Sequence, residues 1–272
     1  MKLGAPTLVG IPYDAGSSFL RGAATAPPLI RQALRSPSSN SWTESLVDVS
    51  ETSALHDAGD AALDGAHDPR AIISYTIAEI VEGGGRPIAL GGDHSITFPI
   101  LRALRPHLPR LSVLHIDAHP DIYESFEGDP FSHACPFARI MEAGLCDRLV
   151  QVGIRTMNPH QRKQADRFGV DVIDMPSWVA GRRPQLDGAV YVTVDIDGID
   201  PAYAPGVSHP EPGGLSVREV VTMIQSLPHP IVGADVVEYN PVRDVNGLTA
   251  YVCAKLIKEI VGAMVAPPPH ST

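Results

Sequence analysis

The chain has 272 residues, a formal net charge of −10 and an apolar fraction of 44 %. This composition is typical of a globular protein with a sizeable core, and it excludes a mainly disordered chain. The excess of acidic residues argues against a nucleic-acid binder or a polybasic membrane protein. We expect no signal peptide and no membrane span, and three cysteines are too few for a disulfide framework. The composition therefore predicts a cytoplasmic protein without a nucleic-acid or membrane partner.

Short apolar runs rich in β-branched residues alternate along the chain with segments of helical periodicity. The runs predict strands at Thr7–Ile11, Leu46–Val49, Ile88–Leu90, Leu111–Ile116, Leu149–Gly153, Val170–Ile173, Ala189–Val194 and Ile231–Val237. The periodic segments predict helices at Pro27–Leu34, Pro69–Val81, Ser95–Leu104, Ala134–Ala143, Pro159–Phe168, Ser216–Gln225 and Leu248–Val261.

This alternation predicts the α/β class, with a doubly wound, mostly parallel sheet and helices on both faces, in three αβα layers. Several strands are apolar on both faces, as expected of parallel strands covered on both sides. We find no linker long enough to divide the chain. We therefore predict a single domain over residues 1–266 and a disordered tail over residues 267–272.

Acidic and histidine side chains follow four of the predicted strands at the point where each strand ends. The segments are Gly91–His94, Asp117–Asp121, Asp195–Pro201 and Glu238–Pro241. In open α/β sheets, ligands bind outside the carboxyl ends of the strands. We therefore expect these side chains to meet at one rim of the sheet.

Two histidines and four aspartates at this rim form a predicted metal centre: His94, Asp117, His119, Asp121, Asp195 and Asp197. Alternate residues of an extended chain share a side, which brings the ligands of each segment together. Burying so many carboxylates without cations would be costly and would raise their pKa values. The set exceeds what one tetrahedral zinc ion needs and suits two divalent ions. Its oxygen-rich composition favours Mn²⁺, although affinity alone does not exclude Fe, Co or Zn.

Taken singly, these motifs also have structural interpretations. An Asp-x-Asp pair after a strand often caps a helix, and Gly91–Gly92 without a following Lys is a tight turn rather than a phosphate loop. His133 is either a proton shuttle or a structural residue at the start of a helix. Glu238 either binds a cationic substrate or lies at the edge of the core. We expect His115 and Tyr239 to be core residues.

Three motifs resemble those of the ureohydrolase family, which includes arginases and agmatinases: GGDHS at 91–95, DAHPD at 117–121 and DIDGIDP at 195–201. The resemblance extends over nearly the whole chain. Longer segments are similar to the plant-type arginases, which are themselves agmatinase-like: PDIYESFEG at 120–128, SHACPFARIME at 132–142 and APGVSHPEPGGL at 204–215.

The resemblance implies two Mn²⁺ ions per subunit that share two ligands. One ion would be held by His94, Asp117, Asp121 and Asp195, and the other by His119, Asp117, Asp195 and Asp197. The family also implies three catalytic residues. Asp121 would orient the attacking hydroxide, His133 would shuttle a proton, and Glu238 would bind the guanidinium group. His133 and Glu238 are therefore the expected substrate-binding residues as well.

The implied reaction releases urea and an amine from a small cationic guanidino substrate, and L-arginine is the first expectation. Agmatine or another guanidino compound is the alternative, because Tyr123 replaces the Asn with which animal arginases read the α-carboxylate of arginine. A basic or amide-rich mouth of the substrate pocket would favour arginine. Arg139 and Arg155 lie near the candidate site residues in the sequence. The loop 204–213, with His209, is expected to line that mouth.

Two further expectations concern the protein as a whole. The resemblance implies a homo-oligomer, either a trimer or a hexamer. A hypothesis of a different class is a metal-binding regulator that has lost catalysis. Loss of a ligand or of the shuttle would indicate such a protein, and all of these residues are present.

Overall fold

The computed structural model describes residues 4–50 and 55–265. The strands are β1 (Pro6–Gly10), β2 (His56–Asp60), β3 (Arg86–Leu90), β4 (Leu111–Ile116), β5 (Arg148–Ile154), β6 (Asp171–Asp174), β7 (Ala189–Asp195) and β8 (Ile231–Val237). The α-helices are α1 (Ala26–Leu34), α2 (Pro69–Glu82), α3 (Thr97–Leu104), α4 (Pro136–Glu142), α5 (Pro159–Phe168), α6 (Met175–Val179), α7 (Val217–Gln225) and α8 (Leu248–Val265).

The strands form one eight-stranded sheet in the order β2-β1-β3-β8-β7-β4-β5-β6. Every pair of neighbouring strands is parallel. Parallel neighbours need a crossover connection, which the helices supply on both faces of the sheet. The predicted α/β class and doubly wound sheet are therefore confirmed.

Side chains of each central strand divide between two hydrophobic cores. On β7, Val190, Val192 and Val194 pack in the core that includes α1, α7 and α8. The ring of Tyr191 packs on the other face, in the core that includes α2, α3 and α4. Because successive side chains of a strand point to opposite faces, a strand covered on both sides is apolar throughout. This explains why these strands were predictable from continuous apolar runs.

Side-chain caps fix the starts of two helices near the site. The Asn158 side chain accepts from the Gln161 N–H at the start of α5, and the Ser216 side chain accepts from the Glu219 N–H at the start of α7. In both cases the residue at the third helical position bonds back to the cap, which completes a capping box. The loops that lead into these helices are thereby held in position.

One element prediction was wrong, and two elements of the structure were not predicted. The segment Leu46–Val49 is not a strand: Leu46 is exposed with φ 63°, and Val49 packs against the core. The edge strand is His56–Asp60 instead, and all five of its residues are exposed, so no apolar pattern marks it. Helix α6 was not predicted, because its five residues are too few to show a helical period.

The predicted tail, residues 267–272, lies outside the described residues, and the domain limit at residue 266 stays a prediction. Within residues 4–50 and 55–265, no helix combines the length and apolarity needed to cross a membrane.

Candidate active site

The four predicted site segments lie side by side. They follow β3, β4, β7 and β8, which occupy consecutive positions in the sheet in the order β3-β8-β7-β4. Because all of these strands are parallel, their carboxyl ends share one edge. The predicted convergence on one rim is confirmed.

The first group of candidate ligands surrounds the ring of His94. Its Nδ1 atom lies 3.2 Å from Asp117 Oδ2, 3.1 Å from Asp121 Oδ2 and 3.1 Å from Asp195 Oδ2. One ligand-type atom from each of the four residues lies within 4.8 Å of the others. All four are buried. This is the set expected for one ion.

The second group contains His119, Asp197 and Asp117. The His119 Nδ1 atom lies 3.1 Å from Asp197 Oδ2 and 3.5 Å from Asp117 Oδ1. Asp117 therefore belongs to both groups, and it faces each with a different oxygen. Asp195, which we expected in both groups, meets the 4.8 Å distance only in the first.

The electrostatics of these groups fit bound cations. Burial raises the pKa of Asp195 well above its usual range, and the carboxylates of Asp197 and Asp117 raise it further. Burial likewise raises the pKa of Asp197 to about 7, against the lowering effect of His119. His94 Nδ1 is buried and has no hydrogen-bond partner among the described residues, although it points at three carboxylates. A metal ion would neutralise the carboxylates and take this nitrogen as a ligand.

Thr193 supports His94 from the side opposite the carboxylates. Its Oγ1 lies 3.0 Å from His94 Nε2. A proton on Nε2 that bonds to this oxygen leaves the Nδ1 lone pair free toward the candidate metal position. Thr193 supplies the hydroxyl group that this contact requires.

His133 and Glu238 form a buried pair above the candidate ligands. His133 Nδ1 lies 2.8 Å from Glu238 Oε1, which also accepts the His94 backbone N–H at 2.9 Å. Burial lowers the pKa of His133, but the carboxylates of Glu238, Asp121 and Asp93 together raise it to about 9. The contact with Glu238 therefore favours the protonated form of His133. We did not predict Ser18, whose Oγ lies 2.9 Å from His133 Nε2.

Two of the acidic site residues have left-handed backbone conformations. Asp121 has φ 46° and Glu238 has φ 61°. Such conformations cost free energy for residues other than Gly, and they are frequent at functional sites. Both residues lie in the segments that follow β4 and β8.

A cleft of about 170 Å³ opens over both groups and the His133–Glu238 pair. Its wall includes Ser18, Tyr123, Phe126, Thr156, Gln161 and His209. The His209 ring centroid lies 5.3 Å from that of His133 and 6.0 Å from that of His119. The expectation that the loop 204–213 lines the mouth is therefore confirmed for His209.

Neither arginine considered for the mouth lines this cleft. The Arg155 guanidinium donates to the backbone carbonyl oxygens of Gly153, Asp197, Gly198 and Glu211. Arg139 pairs with Glu142 on α4 at 2.8 Å. The wall therefore offers neutral hydrogen-bonding groups beside aromatic rings, rather than a basic patch.

His115 is buried, as predicted for a core residue, but its ring also contacts the site. Its Nε2 lies 2.7 Å from Asp117 Oδ2. This contact could have been predicted from the sequence, because His115 lies two residues before Asp117 and therefore on the same side of the extended chain. Tyr239 is buried without such a contact, and its hydroxyl donates to Asp244.

Curated relatives of this chain include arginases and agmatinases. It is 46 % identical to "Arginase 1, mitochondrial" of Arabidopsis thaliana, over 93 % of this chain and 79 % of the relative. It is 31 % identical to an agmatinase of Bacillus anthracis, over 93 % of this chain and 90 % of the relative.

The prediction of a cytoplasmic protein is contradicted by the names of the plant relatives. Those of Arabidopsis, rice and Medicago are named mitochondrial, and one of them chloroplastic and mitochondrial. The prediction used composition and the sparse cysteines, which reflect the folded domain and carry no information on the organelle.

A solved structure and a family model agree with this assignment of relatives. The arginase from Medicago truncatula superposes with a TM-score of 0.90 at 41 % identity, over 96 % of this chain and 88 % of that one. Residues 5–262 match the model of the arginase family. The chain therefore belongs to the arginase family and is a ureohydrolase.

Proposed function

We propose that this protein is a manganese-dependent arginase that hydrolyses L-arginine to L-ornithine and urea. The observation that carries the proposal is the rim cluster of four carboxylates and two imidazoles beneath a cleft that also holds a buried His–Glu pair. The relatives named arginase, at 43–46 % identity, support arginine as the substrate.

Two Mn²⁺ ions per subunit are part of this proposal. The two groups that share Asp117 support two ions, because each group supplies one imidazole and at least two carboxylates. Mn²⁺ prefers such oxygen-rich sites. When bound, the ions lower the pKa of a water molecule so that hydroxide is available at neutral pH.

Glu238 binds the guanidinium group of the substrate. Its Oε1 is engaged by His133 and by the His94 N–H, which leaves Oε2 for a substrate N–H. A hydrogen bond between an ionised carboxylate and a cationic donor is about twice as strong as a neutral one. Glu238 therefore holds the planar guanidinium carbon over the ligand groups and stabilises the positive charge during attack.

His133 supplies the proton that the departing amine needs. Water adds its oxygen to the guanidinium carbon, and the C–N bond to the alkyl nitrogen then breaks with its electron pair on that nitrogen. An amine leaves readily only when it is protonated, and the contact with Glu238 favours the protonated form of His133. Ser18, at 2.9 Å from Nε2, orients the ring toward the cleft.

Agmatine is the second candidate substrate. The observation that favours it is that no Lys or Arg belongs to the lining of the cleft within the described part of the chain. Agmatine lacks the carboxylate that such a residue would bind. Arginine would instead be held by neutral donors such as Tyr123, Thr156 and His209.

Urea release tests the proposal. L-arginine, agmatine and 4-guanidinobutyrate are compared at equal concentration, with Mn²⁺ and with a chelator. We expect chelator-sensitive urea from L-arginine above that from the other two. Urea from agmatine alone would identify an agmatinase, and no urea from any of them, with metal bound, would favour the inactive regulator.

A homo-oligomer, either a trimer or a hexamer, belongs to the same proposal. The family resemblance supports it. Light scattering of the purified protein measures the mass directly, and a monomer would contradict it.

A further inference from the structure

The orientation of one buried amide determines the hydrogen-bond polarity behind the metal site. Gln151 lies on β5, and its Nε2 is 2.6 Å from the carbonyl oxygen of Pro120 and 3.0 Å from His115 Nδ1. Only a donor can lie this close to a carbonyl oxygen, since a flipped amide would bring two oxygens together. The atom that faces both Pro120 and His115 is therefore the amide nitrogen.

This orientation assigns the tautomer of His115. An amide nitrogen has no acceptor capacity, so His115 Nδ1 must be unprotonated to accept from it. A neutral imidazole carries its single proton on the other nitrogen, Nε2. That nitrogen lies 2.7 Å from Asp117 Oδ2, within the distance of a strong hydrogen bond to a carboxylate.

We propose that His115 is a positioning residue of the metal centre, which orients the shared ligand Asp117 through its Nε2–H while Gln151 fixes its tautomer. The inference rests on the proposed metal centre. It adds His115 of β4 and Gln151 of β5 to the residues that shape that centre.

Packing holds the His115 ring in this orientation. The ring is fully buried and stacks on Phe137, with centroids 3.9 Å apart and planes 26° from parallel. The other oxygen of Asp117, Oδ1, accepts the His119 backbone N–H at 2.6 Å. Hydrogen bonds from the protein therefore orient both carboxylate oxygens of Asp117 before any metal binds. Residues that orient metal ligands typically contribute 10- to 100-fold to metal affinity.

A direct role as a metal ligand is the alternative for His115, because its ring also lies within 4.8 Å of ligand atoms of His94 and Asp117. The directions of the hydrogen bonds at the His115 ring argue against a role as a ligand. The nitrogen nearest Asp117 carries the proton, and the other nitrogen accepts from Gln151. Neither has a free lone pair for a metal.

Manganese affinity of the metal-free protein, measured by equilibrium dialysis, tests the inference without an activity assay. H115F keeps a ring against Phe137 but removes the donor, and H115Q places an amide N–H at the position of Nε2. We expect affinity to fall about 10- to 100-fold in H115F and to be largely restored in H115Q. The matched control is S112A, which removes the two hydrogen bonds between the Ser112 hydroxyl and the Asp187 backbone at the other end of β4. We expect it to bind like the wild type.

A second variant tests the role of Gln151. Q151M keeps the length of the side chain and removes both donors, so His115 can take the other tautomer. We expect a smaller loss than in H115F, and this variant also answers the question if H115F does not fold. Circular dichroism and thermal unfolding of the metal-free variants check folding.

Three results would overturn the inference. One is wild-type affinity in a folded H115F, and the second is wild-type affinity in Q151M. The third is complete loss of one ion in H115F that H115Q does not restore, which would make His115 a ligand. Absence of arginine hydrolysis in a wild type that binds two ions would contradict the proposed function and leave this inference intact.

Discussion

His133 Nδ1 and Glu238 Oε1 lie 2.8 Å apart, where the loop after β4 meets the end of β8. The contact joins the proposed proton donor to the proposed guanidinium-binding residue. It also keeps both groups charged, because Glu238 raises the pKa of His133 and His133 lowers the pKa of Glu238 against the effect of burial. Substrate binding and protonation of the leaving group therefore depend on one ion pair.

Replacing His133 with Asn should slow turnover and leave manganese content unchanged. The side chain contacts Glu238 and Ser18 and belongs to neither ligand group. Loss of a proton donor typically costs 10²- to 10⁴-fold in rate. Steady-state kinetics and metal analysis on the same preparation check this. Loss of manganese would instead show that His133 supports a ligand.

The same residue should contribute a pH-dependent part of the stability. The pKa of His133 rises from 6.5 to about 9 on folding, since the combined effect of Glu238, Asp121 and Asp93 exceeds the effect of burial. The pair therefore stabilises the folded state fully below pH 6.5 and loses this contribution as pH rises through 9. Urea denaturation of wild type and H133N from pH 6 to 10 measures it. We expect the difference in unfolding free energy to shrink with pH, and a difference that grows would contradict the assignment.

Replacing Asp117 with Ala should abolish activity and reduce the content of both ions. Asp117 is the one residue that the two candidate groups share, so its removal affects both. Metal analysis after dialysis checks the stoichiometry. The control is D64N, which changes an exposed carboxylate that belongs to neither candidate group. A fully active D117A would contradict the shared-ligand assignment.

Replacing Gly198 with Ala should displace the backbone at Asp117. A Cβ at this position would lie 2.7 Å from the Asp117 nitrogen and 2.8 Å from its Cα, and backbone atoms cannot rotate away. Overpacking of this kind costs about 1–3 kcal/mol. We expect a lower melting temperature and weaker manganese binding together. Unchanged values of both would show that the β4 and β7 ends adjust freely.

The strands and the rim cluster could be predicted because their causes are local in sequence. Strands buried on both faces leave continuous apolar runs, and the ligands occur as short motifs at strand ends. The edge strand His56–Asp60 could not be predicted, because its backbone pairs with β1 while its side chains face solvent. The contact of Ser18 with His133 joins residues 115 positions apart, and neither segment indicates the other. His115 was assigned to the core because its donor function depends on Gln151 in another strand.

A competition between substrates tests the central claim most directly. L-arginine and agmatine are supplied together at equal concentration with Mn²⁺, and ornithine and putrescine are quantified by mass spectrometry. The ratio of products gives the ratio of kcat/KM within one sample, so the result does not depend on the fraction of metal-loaded enzyme. We expect ornithine in large excess over putrescine. An excess of putrescine would show that the cleft selects a substrate without a carboxylate, and would contradict the assignment as an arginase.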